Sequence, residues 1–120
     1  MKIEHAIIFR QAFVNMGYRQ MDEKESIWGK PIGFGIIIAE VKDKTIEFKT
    51  MFENAKSETT IWGSSTTDID YITEGAEGEE LYNKCVWDIA YKEFEAKAEK
   101  MFFPFQGGES KTFDFKNLIQ

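Results

Sequence analysis

The sequence predicts an α+β fold. It reads as a single domain over residues 1–120 in α-β-β-β-α-β order, with an antiparallel sheet built on a three-stranded meander and two helices packed on one face. Three observations predict it. Residues 34–64, FGIIIAEVKDKTIEFKTMFENAKSETTIWGS, are dense in β-branched and aromatic side chains and broken twice by polar clusters. Residues 3–16 and 77–101 instead repeat apolar side chains three and four positions apart, the period of a helix. A chain of 120 residues with 15% aromatics can bury about two thirds of its unfolded surface around one core.

In the first helix, residues 3–16, Ala6, Phe9, Phe13 and Met16 form the apolar stripe, with Ile8 and Ala12 widening it. Gly17 is placed to end that helix in a left-handed conformation. Residues 18–26 are polar, with a solvated run from Asp22 to Glu25 and room for a short edge strand over 18–21. The next stretch, WGKPIGFG, is a glycine-rich approach to the sheet. Its glycines precede a strand, whereas a dinucleotide loop places them between a strand and a helix, and Pro31 after Gly29-Lys30 breaks any P-loop pattern.

Within the meander, a turn centred on Asp43-Lys44 sets Val41 opposite Ile46, Ala39 opposite Phe48 and Ile37 opposite Thr50. That face is apolar or small throughout. The other face mixes Phe34, Ile36 and Ile38 with Glu40, Glu47 and Lys49, so a one-residue slip would bury charge. A second polar turn, residues 54–57, leads to a third strand at 59–62. The tripeptide Ile-Trp-Gly brackets the block, at Ile27-Trp28-Gly29 and Ile61-Trp62-Gly63.

The long helix, residues 77–101, carries Tyr82, Cys85, Val86 and Ile89, then Ala90, Phe94, Ala98 and Met101, on its expected inner stripe. Trp87 and Tyr91 extend the stripe sideways, so this helix has something to touch on two sides. Acid-before-base pairs (Glu80 with Lys84, Asp88 with Lys92, Glu93 with Lys97) are expected along its exposed side. Pro104 stops it, Gly107-Gly108 turns the chain, and residues 112–116 form a last strand.

The net charge of −6 has a location. Between 66 and 80 there are six acids (Asp68, Asp70, Glu74, Glu77, Glu79 and Glu80) and no base. That segment reads as a solvated acidic loop or a partner-facing surface. It lacks the central glycine of a calcium loop, with Ile72 and Thr73 at the positions that matter. Acidity repels phosphate backbones, and only Arg10 and Arg19 are available for bidentate phosphate contacts, so no direct nucleic-acid binding is expected.

The residues that could carry chemistry are few. His5 and Cys85 are each the single residue of their type, too few for a zinc site, and Cys85 lies on an apolar stripe where burial raises a thiol's pKa. Glu40 and Glu47, facing each other near an exposed turn, read as a surface pair. No enzyme activity, metal or cofactor is expected. The lone cysteine, and the absence of a long apolar run, point to a soluble protein of the cytoplasm or a host cytoplasm, with no membrane partner.

The leading functional expectation is a small acidic binding protein. It would act as an inhibitor, immunity protein or phage-type (viral) antagonist by occupying a basic surface of a nucleic-acid-handling or defence enzyme. Trp62, Asp68, Asp70, Tyr71, Glu74 and Glu77 would meet the partner protein. The alternative is a ligand-sequestering domain whose pocket is lined by Trp28, Trp62, Thr60 and Ser64, within one chain or across a homo-oligomer.

Overall fold

The computed structural model describes residues 1–33, 35–53, 58–102 and 112–114. Helix α1 (Ile3–Asn15) leads into strands β1 (Arg19–Gln20), β2 (Ile27–Ile32), β3 (Gly35–Val41), β4 (Thr45–Glu53) and β5 (Glu58–Asp68). Helices α2 (Ile69–Thr73) and α3 (Gly78–Phe102) and strand β6 (Thr112–Asp114) follow. The sheet has the spatial order β1-β2-β3-β4-β5-β6, and every neighbouring pair is antiparallel. The helices pack on one face, so the coarse architecture is the expected one.

The expected three-stranded meander is β3 to β5 of a longer one that begins with β1 and β2. Strand β2 forms within the glycine-rich stretch that reads as an approach to the sheet, pairing Ile27 with Glu40 through Ile32 with Gly35. Pro31 hid it, because proline is poorly tolerated inside a sheet. Strand β1 reaches only Trp28 and Gly29, however, so β2 is already an edge at Pro31 and the missing N–H costs little. Gly35 is required by close approach: a Cβ there would lie 1.9 Å from the Met51 carbonyl oxygen.

The central hairpin has the register that its alternation demands, with Val41 opposite Ile46, Ala39 opposite Phe48 and Ile37 opposite Thr50. Ile37, Ala39, Ile46 and Phe48 are buried against Phe9, Ala12 and Phe13 of α1 and Leu81, Cys85 and Ile89 of α3. Helix α1 ends as a Schellman motif. Gly17, at φ 93°, donates its N–H to Val14 and Tyr18 donates to Phe13. The Tyr18 ring then meets Phe13 edge-on at 5.1 Å.

Three expectations need correction. First, the acidic stretch is not a loop: β5 continues through Asp68, and α2 follows because Ile69 and Ile72 are buried. Asp68 caps that helix, accepting from the Asp70 N–H at 3.0 Å. Secondly, the run from Asp22 to Glu25 is not simply solvated. The Asp22 carboxylate accepts from the Ser26 hydroxyl and from the N–H groups of Ser26 and Ile27, which launches β2.

Thirdly, the inner stripe of α3 is Leu81, Cys85, Ile89 and Ala96, joined by Glu93; Ala90 is exposed, and Phe94 is 58% exposed. The expected row Val86-Ala90-Phe94 advances in steps of four, each overshooting a helical turn by about 40°, so it winds out of the interior from half-buried Val86 to exposed Ala90 and Phe94. The inner stripe buries a carboxylate at 93 because that carboxylate has partners: Tyr18 Oη donates at 2.7 Å and Lys30 Nζ at 3.2 Å. Val41 and Val86 are only partly buried. The side chains of Ala98 and Met101, the turns expected at 54–57 and 107–108, Phe34, Pro104 and residues 115–116 lie outside the description.

Phe48 and Phe94 therefore separate two packings. Phe48→Ala is expected to cost about 3–5 kcal/mol of stability and Phe94→Ala under ~0.5 kcal/mol, read as urea midpoints. Equal losses would mean that Phe94 faces the core after all.

Candidate functional site

Burying Leu81, Cys85 and Ile89 forces the opposite face of α3 outward. Trp87 is 77% exposed there, with Tyr91 and Phe94 also exposed at i+4 and i+7. Short α2 lies alongside, anchored by Ile69 and Ile72, and turns Tyr71 outward at 78% exposure. Between the helices runs an open groove of about 960 Å³, with Tyr71, Trp87 and Tyr91 as its aromatic walls. Glu74, Glu79, Glu80 and Asp88 also line it, against Lys84 as the one base. Tryptophan is usually well buried, so one this exposed beside two exposed tyrosines makes this groove the candidate site.

Helix α2 also borders a second cleft, of about 1070 Å³, at the N-terminal ends of α1 and α3. Asp70, Glu74 and Glu77 line it with Asp43 and His5, over a floor that includes Ile8 and Leu81. Glu74 thus borders both depressions, and α2 is the ridge between them.

Four of the six residues expected to meet a partner (Asp70, Tyr71, Glu74 and Glu77) are gathered on or beside α2. Asp68 is engaged in capping α2. Trp62 lies elsewhere. It is the extra residue of a β-bulge, since Thr50 pairs with Gly63 and Met51 with Ile61. The bulge aims Trp62 at α3, where its Nε1 donates to the Lys97 carbonyl at 2.9 Å. Its ring meets Phe52 edge-on at 5.4 Å.

The residues of the alternative pocket are spread out. Trp28 is 3% exposed and stacked on Phe13 at 5.3 Å, with its indole N–H held by the Glu25 carbonyl. It lies on β2, three strands and so about 14 Å across the sheet from the Trp62 strand. Thr60 is half-buried on β5 and Ser64 is exposed. Trp87, Tyr91 and Phe94 were not placed at a site by sequence. The one signal was that Trp87 and Tyr91 widened the α3 stripe beyond what a single contact face needs.

Three carboxylates of α3, Asp88, Glu93 and Glu95, fasten the helix to the rest of the fold. Asp88 accepts from the Thr67 hydroxyl at 2.6 Å, and Glu95 accepts from Ser65 at 2.8 Å and Lys92 at 3.0 Å. The expected pairings of Asp88 with Lys92 and Glu93 with Lys97 give way to these contacts and to the Tyr18–Glu93–Lys30 cluster. Burial raises the Asp88 carboxyl, opposed by Thr67 and Lys92 and assisted by Glu95. The Lys92 contact, followed by Ser65, holds the Glu95 carboxyl below its usual range. Burial, with the nearby Glu93 carboxylate, raises the Tyr18 phenol.

Chemistry at these positions is constrained. Cys85 is fully buried, and burial with Asp88 pushes its thiol up to about 12, far from a thiolate at neutral pH. Glu40 and Glu47 do face each other. Glu47 is bound to Lys49 at 2.8 Å and Lys42 at 3.2 Å, contacts that lower its carboxyl, Lys49 first. Among the described residues no group of three His, Cys, Asp or Glu could hold a metal ion, and no helix is long and apolar enough to cross a membrane. No family model matches the chain, and searches of curated proteins and of solved structures find no match.

Two outcomes follow from the titration of this face. Because burial raises the Asp88 carboxyl, the folded chain holds that proton more tightly than the unfolded chain does. Stability linked to Asp88 is therefore present below the unfolded carboxylate range and is lost as pH rises through the folded pKa. Asp88→Asn keeps an acceptor for Thr67 without the charge. It is expected to melt at or above the wild-type temperature at pH 7 and to lose that advantage near pH 3. A variant less stable at pH 7 would show that the carboxylate itself holds the helix. For Cys85, thiol labelling of the native protein at pH 8 is expected to be at least ~100-fold slower than in urea, and equal rates would place the sulfur at the surface.

Proposed function

We propose that the chain is a binding protein that acts by occupying a basic surface of another protein. That is how an inhibitor, immunity protein or phage-type antagonist of a nucleic-acid-handling or defence enzyme would act. The observation that carries this reading is the α2–α3 groove, where exposed Tyr71, Trp87 and Tyr91 stand among four carboxylates. Aromatic side chains supply rigid apolar area at little entropic cost and dominate the energetics of interfaces. The surrounding carboxylates would steer a cationic surface toward them and set its orientation.

The distribution of charge supports the same reading. The six acids between 66 and 80 account for the whole net charge of −6. Helix α2 and the start of α3 gather them at one end of the molecule, beside the exposed aromatics. A surface of this kind repels phosphate backbones and competes for sites that normally hold them.

Affinity capture from the cells that produce the protein tests this, with wild type and Trp87→Ala as parallel baits. The expected result is a basic nucleic-acid-handling or defence enzyme that wild type retains, the variant loses, and added wild-type protein inhibits. For that enzyme, Glu74→Gln/Glu79→Gln/Glu80→Gln should slow association about tenfold at low salt and flatten its salt dependence. Retention of a small molecule in place of a protein would overturn the reading in favour of ligand sequestration.

A further inference from the structure

We infer that the α2–α3 groove binds an arginine side chain from an extended basic segment of the partner protein, stacked on Trp87 and flanked by carboxylates. This deepens the proposed function and rests on it. The inference starts from how the fold holds its own cations. Lys30 Nζ sits 5.7 Å from the centroid of the Tyr18 ring while bonding the Glu93 carboxylate at 3.2 Å. Lys92 Nζ sits 5.4 Å from the Tyr91 ring while bonding Glu95 at 3.0 Å. In both places a cation is held between an aromatic face and a carboxylate. That combination is favourable because the ring quadrupole and the anion attract the same charge.

At Trp87 and Tyr71 the groove offers the same pair of groups, while its third ring, Tyr91, already carries Lys92. Trp87 and Tyr71 present exposed rings, Glu74, Glu79 and Glu80 are the exposed carboxylates, and Asp88, held by Thr67, forms the inner side of the groove. Three exposed carboxylates, Glu74, Glu79 and Glu80, against the ammonium of Lys84 leave an excess of negative charge for a ligand to neutralise. Arginine fits better than lysine because its planar guanidinium stacks on indole and donates to two carboxylates at once. A second copy of the chain fits poorly, since a two-fold contact through this groove would set its acids against themselves. The groove is open along α3, which suits a segment of chain better than an enclosed small molecule.

The test uses the full-length protein and two synthetic octapeptides, identical except that one carries three arginines and the other three citrullines. Citrulline keeps the shape and removes the charge. Binding is followed through the indole N–H resonance of Trp87, assigned with Trp87→Phe, with Trp28 and Trp62 as internal controls. The expected result is a saturable shift confined to Trp87, at least about tenfold tighter for the arginine peptide. Lys84→Gln should tighten that binding by about twofold or more, a gain that damaged folding could not produce. Equal affinity for the citrulline peptide, or no shift at ~1 mM arginine peptide, would overturn the arginine assignment. If the captured enzyme still depended on Trp87, the binding reading itself would survive that failure. Tight arginine binding with no enzyme inhibited would instead uphold the groove and remove the antagonist reading.

Discussion

The alternation of β3 and β4 is the constraint on which the remaining architecture depends. Ile37, Ala39, Ile46 and Phe48 project to one side of the hairpin, and the register that brings them together is the one that keeps Glu47 and Lys49 out of the core. One apolar face of a sheet needs cover, and α1 and α3 supply it from the two ends of the meander. From β1 to β5 each strand pairs with its sequence neighbour through a short connection, whereas β6 joins β5 only after both α2 and α3.

Helix α3 is then held by polar as well as apolar contacts. Leu81, Cys85 and Ile89 fill the space over the hairpin, while Glu93 reaches Tyr18 and Lys30 on one side and Asp88 and Glu95 reach Thr67 and Ser65 on the other. The bulge at Trp62 adds an indole donor to the Lys97 carbonyl. A buried carboxylate is costly unless its lone pairs are used, so these contacts fix the rotation of the helix about its axis more narrowly than interchangeable apolar side chains could. That rotation is what turns Trp87, Tyr91 and Phe94 to solvent.

The surface proposed for binding is thus a by-product of the same packing decision. Rotating α3 inward on Glu93 leaves an aromatic row outside, and capping α2 with Asp68 sets Tyr71 across from it. Acidity and aromaticity, separate properties along the chain, meet in one groove only because α2 folds back beside the first turns of α3. The molecule's own Lys30 and Lys92 are seated on tyrosine rings against carboxylates in the same way.

By itself the sequence determined the features set by near neighbours. These were the helix ending at Gly17, the register of the central hairpin, the burial of Cys85 and the position of the acidic segment. Each follows from local backbone chemistry or from a period that repeats within a few residues. Tertiary structure alone decided that a proline-containing stretch would be a strand, because its pairing partner lies on β3. It also chose Glu93 over Phe94 for the interior of α3. Hydrophobicity favours Phe94, but the partners that make a buried carboxylate affordable, Tyr18 and Lys30, are more than sixty residues away and come within reach only in the folded chain.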